Sequence, residues 1–199
     1  MDQITTIIFD FGGVIATDNI DLFEKKFHWD RLPPKQRTAH EDAVRQCELG
    51  KITRQQLFAM MHDIFSSPLS GKEIESWLLS QSKTLPPYRL IGQLRKHYRI
   101  LIISNNFKHW PAQMCKALGI SLTGIPFVNS ALIGARKQDG AAFRQAINKY
   151  KLNPAECVFI DDRLYNIRPA KNLGFHTILY RGRVADLKSG LKKLGVTGL

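Results

Sequence analysis

The sequence predicts an α/β fold, a doubly wound parallel sheet interrupted early by an inserted helical segment. Three observations carry this expectation. From about residue 86 onward, short β-branched apolar runs alternate with stretches of helical period, the pattern of a parallel sheet flanked by helices. Between the first apolar run and this alternation lies a block, residues 16–85, that holds only helical periods and helix stop signals. Two of the apolar runs end in acid, Ile7-Ile8-Phe9-Asp10 and Val158-Phe159-Ile160-Asp161-Asp162. Open parallel sheets take their ligands beyond the carboxyl ends of the strands. Acids at two strand ends therefore point to one shared edge, where they repel each other unless a cation sits among them.

Each element follows from its local pattern. Thr5–Phe9 is β-branched and apolar and reads as a buried strand. Gly12-Gly13 follows it, as a loop of close backbone approach requires. In the inserted block, Phe23 and Phe27 share a helix face, Pro33-Pro34 breaks the chain, and Lys35–Glu48 forms a helix stopped by Gly50. Thr53-Arg54-Gln55-Gln56 and Ser70-Gly71-Lys72-Glu73 are capping boxes, opening helices through Phe65 and about Ser82. Pro86-Pro87 ends the block. Beyond it, helices are expected at Tyr88–His97, Trp110–Leu118, Ala141–Lys151, Ile167–Leu173 and Val184–Leu194. The interleaved strands are Ile100–Ile103, a stretch near Pro126–Val128, Val158–Ile160 and Thr177–Leu179.

Bulk composition narrows the function classes. With 199 residues, 44% of them apolar, the chain can bury a substantial core. No apolar stretch approaches the roughly 20 residues that cross a bilayer. Met1-Asp2-Gln3 lacks the basic-then-apolar pattern of a secretory leader. Cys47, Cys115 and Cys157 are odd in number and form no metal or redox motif, so a cytoplasmic setting is expected. The net charge of +12 is uneven. Residues 16–85 hold ten acids and ten bases, and the remainder holds seven acids and nineteen bases. Such a field favours anions, and its bland reading is a solvated basic face. Nucleic acid is not the expected partner, because no aromatic-basic ribonucleoprotein motif or zinc finger is present.

Four features fall at strand ends or in the loops after them: Asp10, Ser104-Asn105-Asn106, Lys137, and Asp161-Asp162 with Asn166 at the following helix start. The chemistry of each is specific. A carboxylate can attack phosphorus and form an acyl phosphate. Carboxylate oxygens and waters make a Mg²⁺ site that screens the nucleophile from an anionic substrate. A serine hydroxyl and nearby backbone N–H groups can hold phosphoryl oxygens. A lysine offsets the charge of the transition state. Each residue also has a bland reading: a strand-end turn for Asp10, a loop cap for Ser104-Asn105-Asn106, a surface lysine for Lys137, a helix cap for Asp161-Asp162 and Asn166.

In order and spacing the four resemble the motifs of the haloacid dehalogenase-like hydrolase superfamily, and the resemblance covers essentially the whole chain. It implies a Rossmann-like core of residues 1–15 and 86–199, with a small helical cap at 16–85. Glu48-Leu49-Gly50-Lys51-Ile52-Thr53 resembles the cap of the phosphatase-type subgroup. The implied activity is a Mg²⁺-dependent phosphatase acting on a small phosphorylated metabolite, such as a sugar phosphate or an acyl phosphate, through an aspartyl-phosphate intermediate. Asp10, Ser104, Asn105 and Lys137 are the implied catalytic residues. Gly12, Gly13, Ser104, Asn105 and Lys137 bind substrate. Asp10, the Gly12 carbonyl, Asp161 and Asp162 hold the metal, with Asp162 expected to coordinate directly and Asp161 to act through water or by supporting the ligands from behind.

One departure stands out. The second residue after the nucleophile is usually an aspartate that serves as general acid and base in the family's phosphatases; here it is Gly12. Such proton transfer contributes about 10²–10⁴-fold in rate. A subset of the family, including sugar-phosphate phosphatases, also carries Asp-x-Gly. A good leaving group, or a proton donor from elsewhere, answers the loss; Asp18, at the entry to the inserted block, is one candidate donor, and a residue such as Glu24 or Glu48 a weaker one. Two alternatives remain open: a catalytically weak binding or regulatory protein, and a metal-independent dehalogenase. The pair Asp161-Asp162 argues against the latter. His109-Trp110 is a candidate pocket wall; Trp29 and Trp77 read as core of the inserted block.

Overall fold

Thr6, Ile7, Ile8 and Phe9 form strand β1, and none of the four is exposed. A strand buried on both faces belongs in the middle of a sheet, and β1 lies there in the computed structural model, which describes residues 3–199. Its neighbours are β2 (Arg99–Ser104) and β4 (Cys157–Asp161), both parallel to it. The edges are β3 (Phe127–Asn129) beside β2 and β5 (His176–Leu179) beside β4. The order β3-β2-β1-β4-β5 reverses direction at β1. That is the switch point at which doubly wound sheets open a crevice.

The helices in chain order are α1 (Asn19–Lys26), α2 (Pro34–Glu48), α3 (Arg54–Phe65), α4 (Gly71–Gln81) and α5 (Tyr88–Leu94). Then come α6 (Trp110–Leu118), α7 (Ser130–Ile133), α8 (Ala141–Tyr150), α9 (Leu164–Asn172) and α10 (Val184–Lys193). Both expected capping boxes form: Thr53 and Gln56 reciprocate at α3, Ser70 and Glu73 at α4. Among the described residues, no helix is long and apolar enough to cross a membrane.

Alternation along the strands divides the core in two. Ile7, Phe9, Ile102 and Ile160 face one apolar cluster, which also takes in Phe23, Phe58 and Leu78 of the inserted helices. Ile8, Leu101, Ile103 and Phe159 face the other, closed by Phe143 of α8. The chain leaves and re-enters the sheet through paired segments. Thr17 N–H donates to the Lys83 carbonyl at 3.0 Å, and Leu85 N–H to the Ile15 carbonyl at 2.9 Å. This double link holds the inserted helices above the carboxyl edge, beside the end of β1.

Several element bounds differ from expectation, and α9 begins at Leu164 rather than Ile167. α5 ends at Leu94, and residues to His97 form turns, because Tyr98 must begin the approach to β2. The short α7 follows β3 directly, capped by Asn129, whose side chain accepts from Ala131 N–H at 2.9 Å.

Candidate active site

Asp10 continues the β1 ladder for one more rung, its N–H donating to the Ile160 carbonyl at 2.9 Å. Asp161 closes β4 beside it. The two carboxylates share one cation: Lys137 Nζ lies 2.6 Å from Asp10 Oδ2 and 2.6 Å from Asp161 Oδ2. All three side chains are buried. Burial alone would lower the lysine pKa, but the two carboxylates outweigh it and hold the ammonium protonated. Burial pushes the Asp10 carboxyl up; Lys137 pulls it back, while Asp161 adds to the rise.

Lys137 reaches this point because its loop is pinned. The Asn105 side chain accepts from Lys137 N–H at 3.0 Å and donates to Gln138 Oε1 at 2.7 Å. The next residue, Asn106, donates its N–H to Ser130 Oγ at 3.0 Å. Ser104 ends β2 with a buried hydroxyl whose only contact among the described residues is a long 3.5 Å approach to the Asn105 carbonyl. Asn166 sits in the first turn of α9 and is bonded to Asp161. Its Nδ2 lies 3.1 and 3.0 Å from the two oxygens of Asp161, whose Oδ1 also accepts from Arg163 N–H at 2.8 Å.

Asp162 is the freer of the pair. Its partner is Arg163 Nε at 3.3 Å, and burial together with Asp161 raises its pKa to about 6. The carboxylate rests against Gly13, whose φ of +75° and absent side chain admit it; a Cβ there would overlap Asp162. Asp10, Asp161 and Asp162 bring ligand oxygens within 4.8 Å of one another, so one ion could bridge all three. An all-oxygen set of this kind suits a hard divalent cation.

Gly12 is under no such compulsion. A Cβ there would meet only Asp18, with Oδ2 at 3.7 Å, an ordinary contact. Asp18 is the N-cap of α1, accepting from Ile20 N–H at 3.0 Å, and it faces Arg163 at 3.5 Å. A cavity of about 610 Å³ adjoins this point. Gly12, Asn105 and Arg163 line it from the sheet edge, Trp29 and Glu48 from the inserted helices. Trp110 lines it too; His109 does not, and Trp77 packs on Phe23 and Phe27. Trp29, expected in the core, is thus a pocket wall. Glu48 and Arg136 stand 2.8 Å apart without the alignment of a hydrogen bond. Burial, with a further push from Asp18, takes the Glu48 carboxyl up to about 7, against the pull of Arg136.

Sequence reading did not single out Arg136, Gln138 or Arg163. Their roles come from partners 33 to 145 residues away, Gln138 to Asn105 and Arg163 to Asp18, and no local pattern marks them.

Known proteins supply a frame for this geometry. The family model for haloacid dehalogenase-like hydrolases matches residues 4–174. The chain is 28% identical over 161 residues to bifunctional epoxide hydrolase 2 of Sus scrofa, covering 78% of this chain and 27% of that protein. It therefore spans about a quarter of that relative's length. It is 27% identical over 188 residues to D-ribitol-5-phosphate phosphatase of Bacteroides thetaiotaomicron, covering 88% of this chain and 91% of the other. A HAD family enzyme of the same organism, crystallised with magnesium and inorganic phosphate, superposes with a TM-score of 0.70 at 21% identity. The alignment covers 90% of this chain and 95% of that one, and the likeness is one of fold.

The buried triad sets a stability test. Lys137→Met strands two buried carboxylates, and breaking such a pair costs about 3–5 kcal/mol. Urea unfolding in EDTA should show that loss, with partial recovery in Lys137→Met/Asp161→Asn; an unchanged midpoint would refute the triad's role. Glu48 sets a second. Its folded pKa of about 7 lies above the ordinary 4.5, so between those values the folded state binds more protons than the unfolded. Its contribution to stability therefore declines as pH rises through that window and is flat above it. Glu48→Gln should show a shallower fall in unfolding free energy from pH 4.5 to 7, measured by urea titrations along the series.

Proposed function

The chain belongs to the haloacid dehalogenase-like hydrolase family, and from that premise we propose that it is a Mg²⁺-dependent phosphatase of a small phosphorylated metabolite. The observation that carries this reading is the meeting of Asp10, Lys137, Asp161 and Asp162 at one edge of the sheet. Residues 16–85 serve as the cap, and residues 1–15 with 86–199 as the core that holds the chemistry. A dehalogenase working without metal has no use for a third carboxylate at this point.

Asp10, the Gly12 carbonyl, Asp161 and Asp162 would hold Mg²⁺. When bound, the ion screens the nucleophile from the anionic substrate and draws charge from the phosphoryl oxygens. Both Asp161 oxygens are already engaged, while Asp162 has one partner. That contrast supports direct coordination by Asp162 and a supporting part for Asp161. Asp10 attacks phosphorus, and the ester oxygen departs, leaving an aspartyl phosphate that water then hydrolyses. Lys137 has three ammonium hydrogens; two face carboxylates, and the third is available to a phosphoryl oxygen. The Ser104 hydroxyl supplies a second donor. Asn105 acts by fixing the loop that presents Lys137.

The proton that Gly12 cannot deliver is assigned to Asp18. Its Oδ2 lies beside the space that a side chain on Gly12 would enter, and the other oxygen is the one that caps α1. Asp18 gives the proton to the departing alkoxide and takes one back from the attacking water.

Phosphate release from alkyl and aryl monoesters and acyl phosphates, with Mg²⁺ and with EDTA, tests the reading. Turnover should need the metal and vanish in Asp10→Asn; activity no greater than that variant's across a broad panel would refute it. Asp18→Asn keeps a good helix cap and isolates proton transfer. It should lower kcat on an alkyl phosphate by about 10²-fold and on p-nitrophenyl phosphate far less. Equal losses on both would assign Asp18 a structural role instead.

A further inference from the structure

Asp18 can stand in for a side chain on Gly12 only if its free oxygen is held in place. Oδ1 is taken by the helix: as the N-cap of α1 it accepts from Ile20 N–H at 3.0 Å. Oδ2 borders the gap over Gly12, and its partner is Arg163 Nη2 at 3.5 Å. The same Nη2 reaches Asp21 Oδ2, and Nε lies 3.3 Å from Asp162 Oδ2. Among the described residues, no other cation pairs with any of these carboxylates. Without Arg163 they would lack a counter-charge, and repulsion from Asp21 and Asp162 would favour turning the Asp18 carboxylate away from the gap.

The guanidinium joins two parts of the chain that meet only in the fold. Asp18 and Asp21 open the inserted helices, 145 and 142 residues before Arg163. Arg163 leads into α9 from the core, and its own N–H donates to Asp161 Oδ1 at 2.8 Å. Its backbone is thus anchored on the acid pair, while its half-buried side chain reaches the insertion. An arginine suits this task. Nε–H and Nη2–H leave one edge of a rigid plane, so the contact with Asp162 fixes where the contact with Asp18 falls. A lysine would carry the charge without the second fixed direction.

Resting on the phosphatase reading and on the assignment of proton transfer to Asp18, we infer that Arg163 is the positioning residue for that transfer. By engaging Asp162 through Nε and Asp18 through Nη2, it keeps Asp18 Oδ2 over the Gly12 gap and registers the proton donor to the metal side of the site. Arg163 moves no proton itself, because a guanidinium stays charged. Its importance therefore depends on the leaving group. An alkoxide needs the proton that Asp18 supplies, and so needs Arg163. A p-nitrophenolate departs with little proton help and needs neither.

The test measures kcat and KM at saturating Mg²⁺ on two esters: the alkyl monoester turned over fastest in the phosphatase panel, and p-nitrophenyl phosphate. Arg163→Gln should lower kcat on the alkyl ester by about tenfold or more, the scale of misplacing a catalytic group by about an ångström. On p-nitrophenyl phosphate the loss should stay below about threefold, and that retained turnover also reports a folded site. In Arg163→Gln/Asp18→Asn the alkyl rate should match that of Asp18→Asn to within about threefold, because the group that Arg163 places no longer donates. Equal losses on both esters, a rise in KM with kcat unchanged, or losses that multiply in the double variant would overturn the inference. Arg163→Lys keeps the charge without the fork; on the alkyl ester it should lose less than Arg163→Gln, yet about threefold or more. The unaltered protein's rates on both esters in that variant would also overturn the inference, and Arg163→Lys carries the test should Arg163→Gln fail to fold. The underlying readings fail separately. No turnover of any ester refutes the phosphatase reading, and Asp18→Asn without an alkyl-selective loss refutes Asp18 as donor, whatever Arg163 does.

Discussion

A single buried ammonium between two buried carboxylates governs the rest of the site. Lys137, Asp10 and Asp161 are taken out of water together, and each would be untenable there alone. The arrangement needs two neighbouring strands to end at one level, which the β1–β4 pairing supplies by matching Phe9 with Ile160. It also needs a loop from the far side of β2 to arrive with its lysine extended. That loop is held by Asn105, at the end of β2, and by the α7 cap just before it. The carboxyl edge is thus one coupled network, in which strand ends and loops fix each other.

The two glycines that follow Asp10 and Phe11 show different physics in adjacent positions. Gly13 is obligatory, because its backbone turns through positive φ and the Asp162 carboxylate occupies the space of a Cβ. Gly12 has ordinary backbone and ordinary room. The missing side chain there is a matter of chemistry, since sterics would admit one. The space next to it is bordered by Asp18, which comes from the start of the inserted helices. On the proposed mechanism, proton transfer would thereby move from the strand end to the entry of the insertion.

Local signals were read from the sequence most securely where the cause is local. The buried strands, the capping boxes at Thr53 and Ser70, and the turn at Gly12-Gly13 are each set by neighbours within a few residues. The four site motifs were also legible, as acids and polar groups at strand ends. What was hidden depends on distant partners. Nothing near Lys137 distinguishes it from the other lysines except its loop; the burial that defines it comes from Asp10 and Asp161. Asn166 could be read equally as a helix cap, and only the fold turns its amide onto Asp161. Trp29 looks like core by composition, yet it walls the cavity. The length of α5 is set by the need to reach β2, which overrides a helical pattern that runs further.

The contact between insertion and core turns on the end of α2. Gly50, at φ +71°, leaves the space in which the Ala131 carbonyl of α7 makes its approach; a Cβ would collide with that oxygen. Backbone therefore meets backbone at this junction, and α2 ends close to the loop that carries Lys137. Glu48, at the carboxyl end of α2, is brought opposite Arg136, the residue before Lys137. A carboxylate at a helix C-terminus also faces the negative end of the helix dipole, which disfavours its ionised form in the same direction as burial. The pairing with Arg136 opposes both. A shift of the inserted helices would thus change the charge on Glu48 and the field around Asp18 and the Lys137 loop together. By this geometry the cavity wall at Glu48 and the loop that carries Lys137 are coupled through one ion pair.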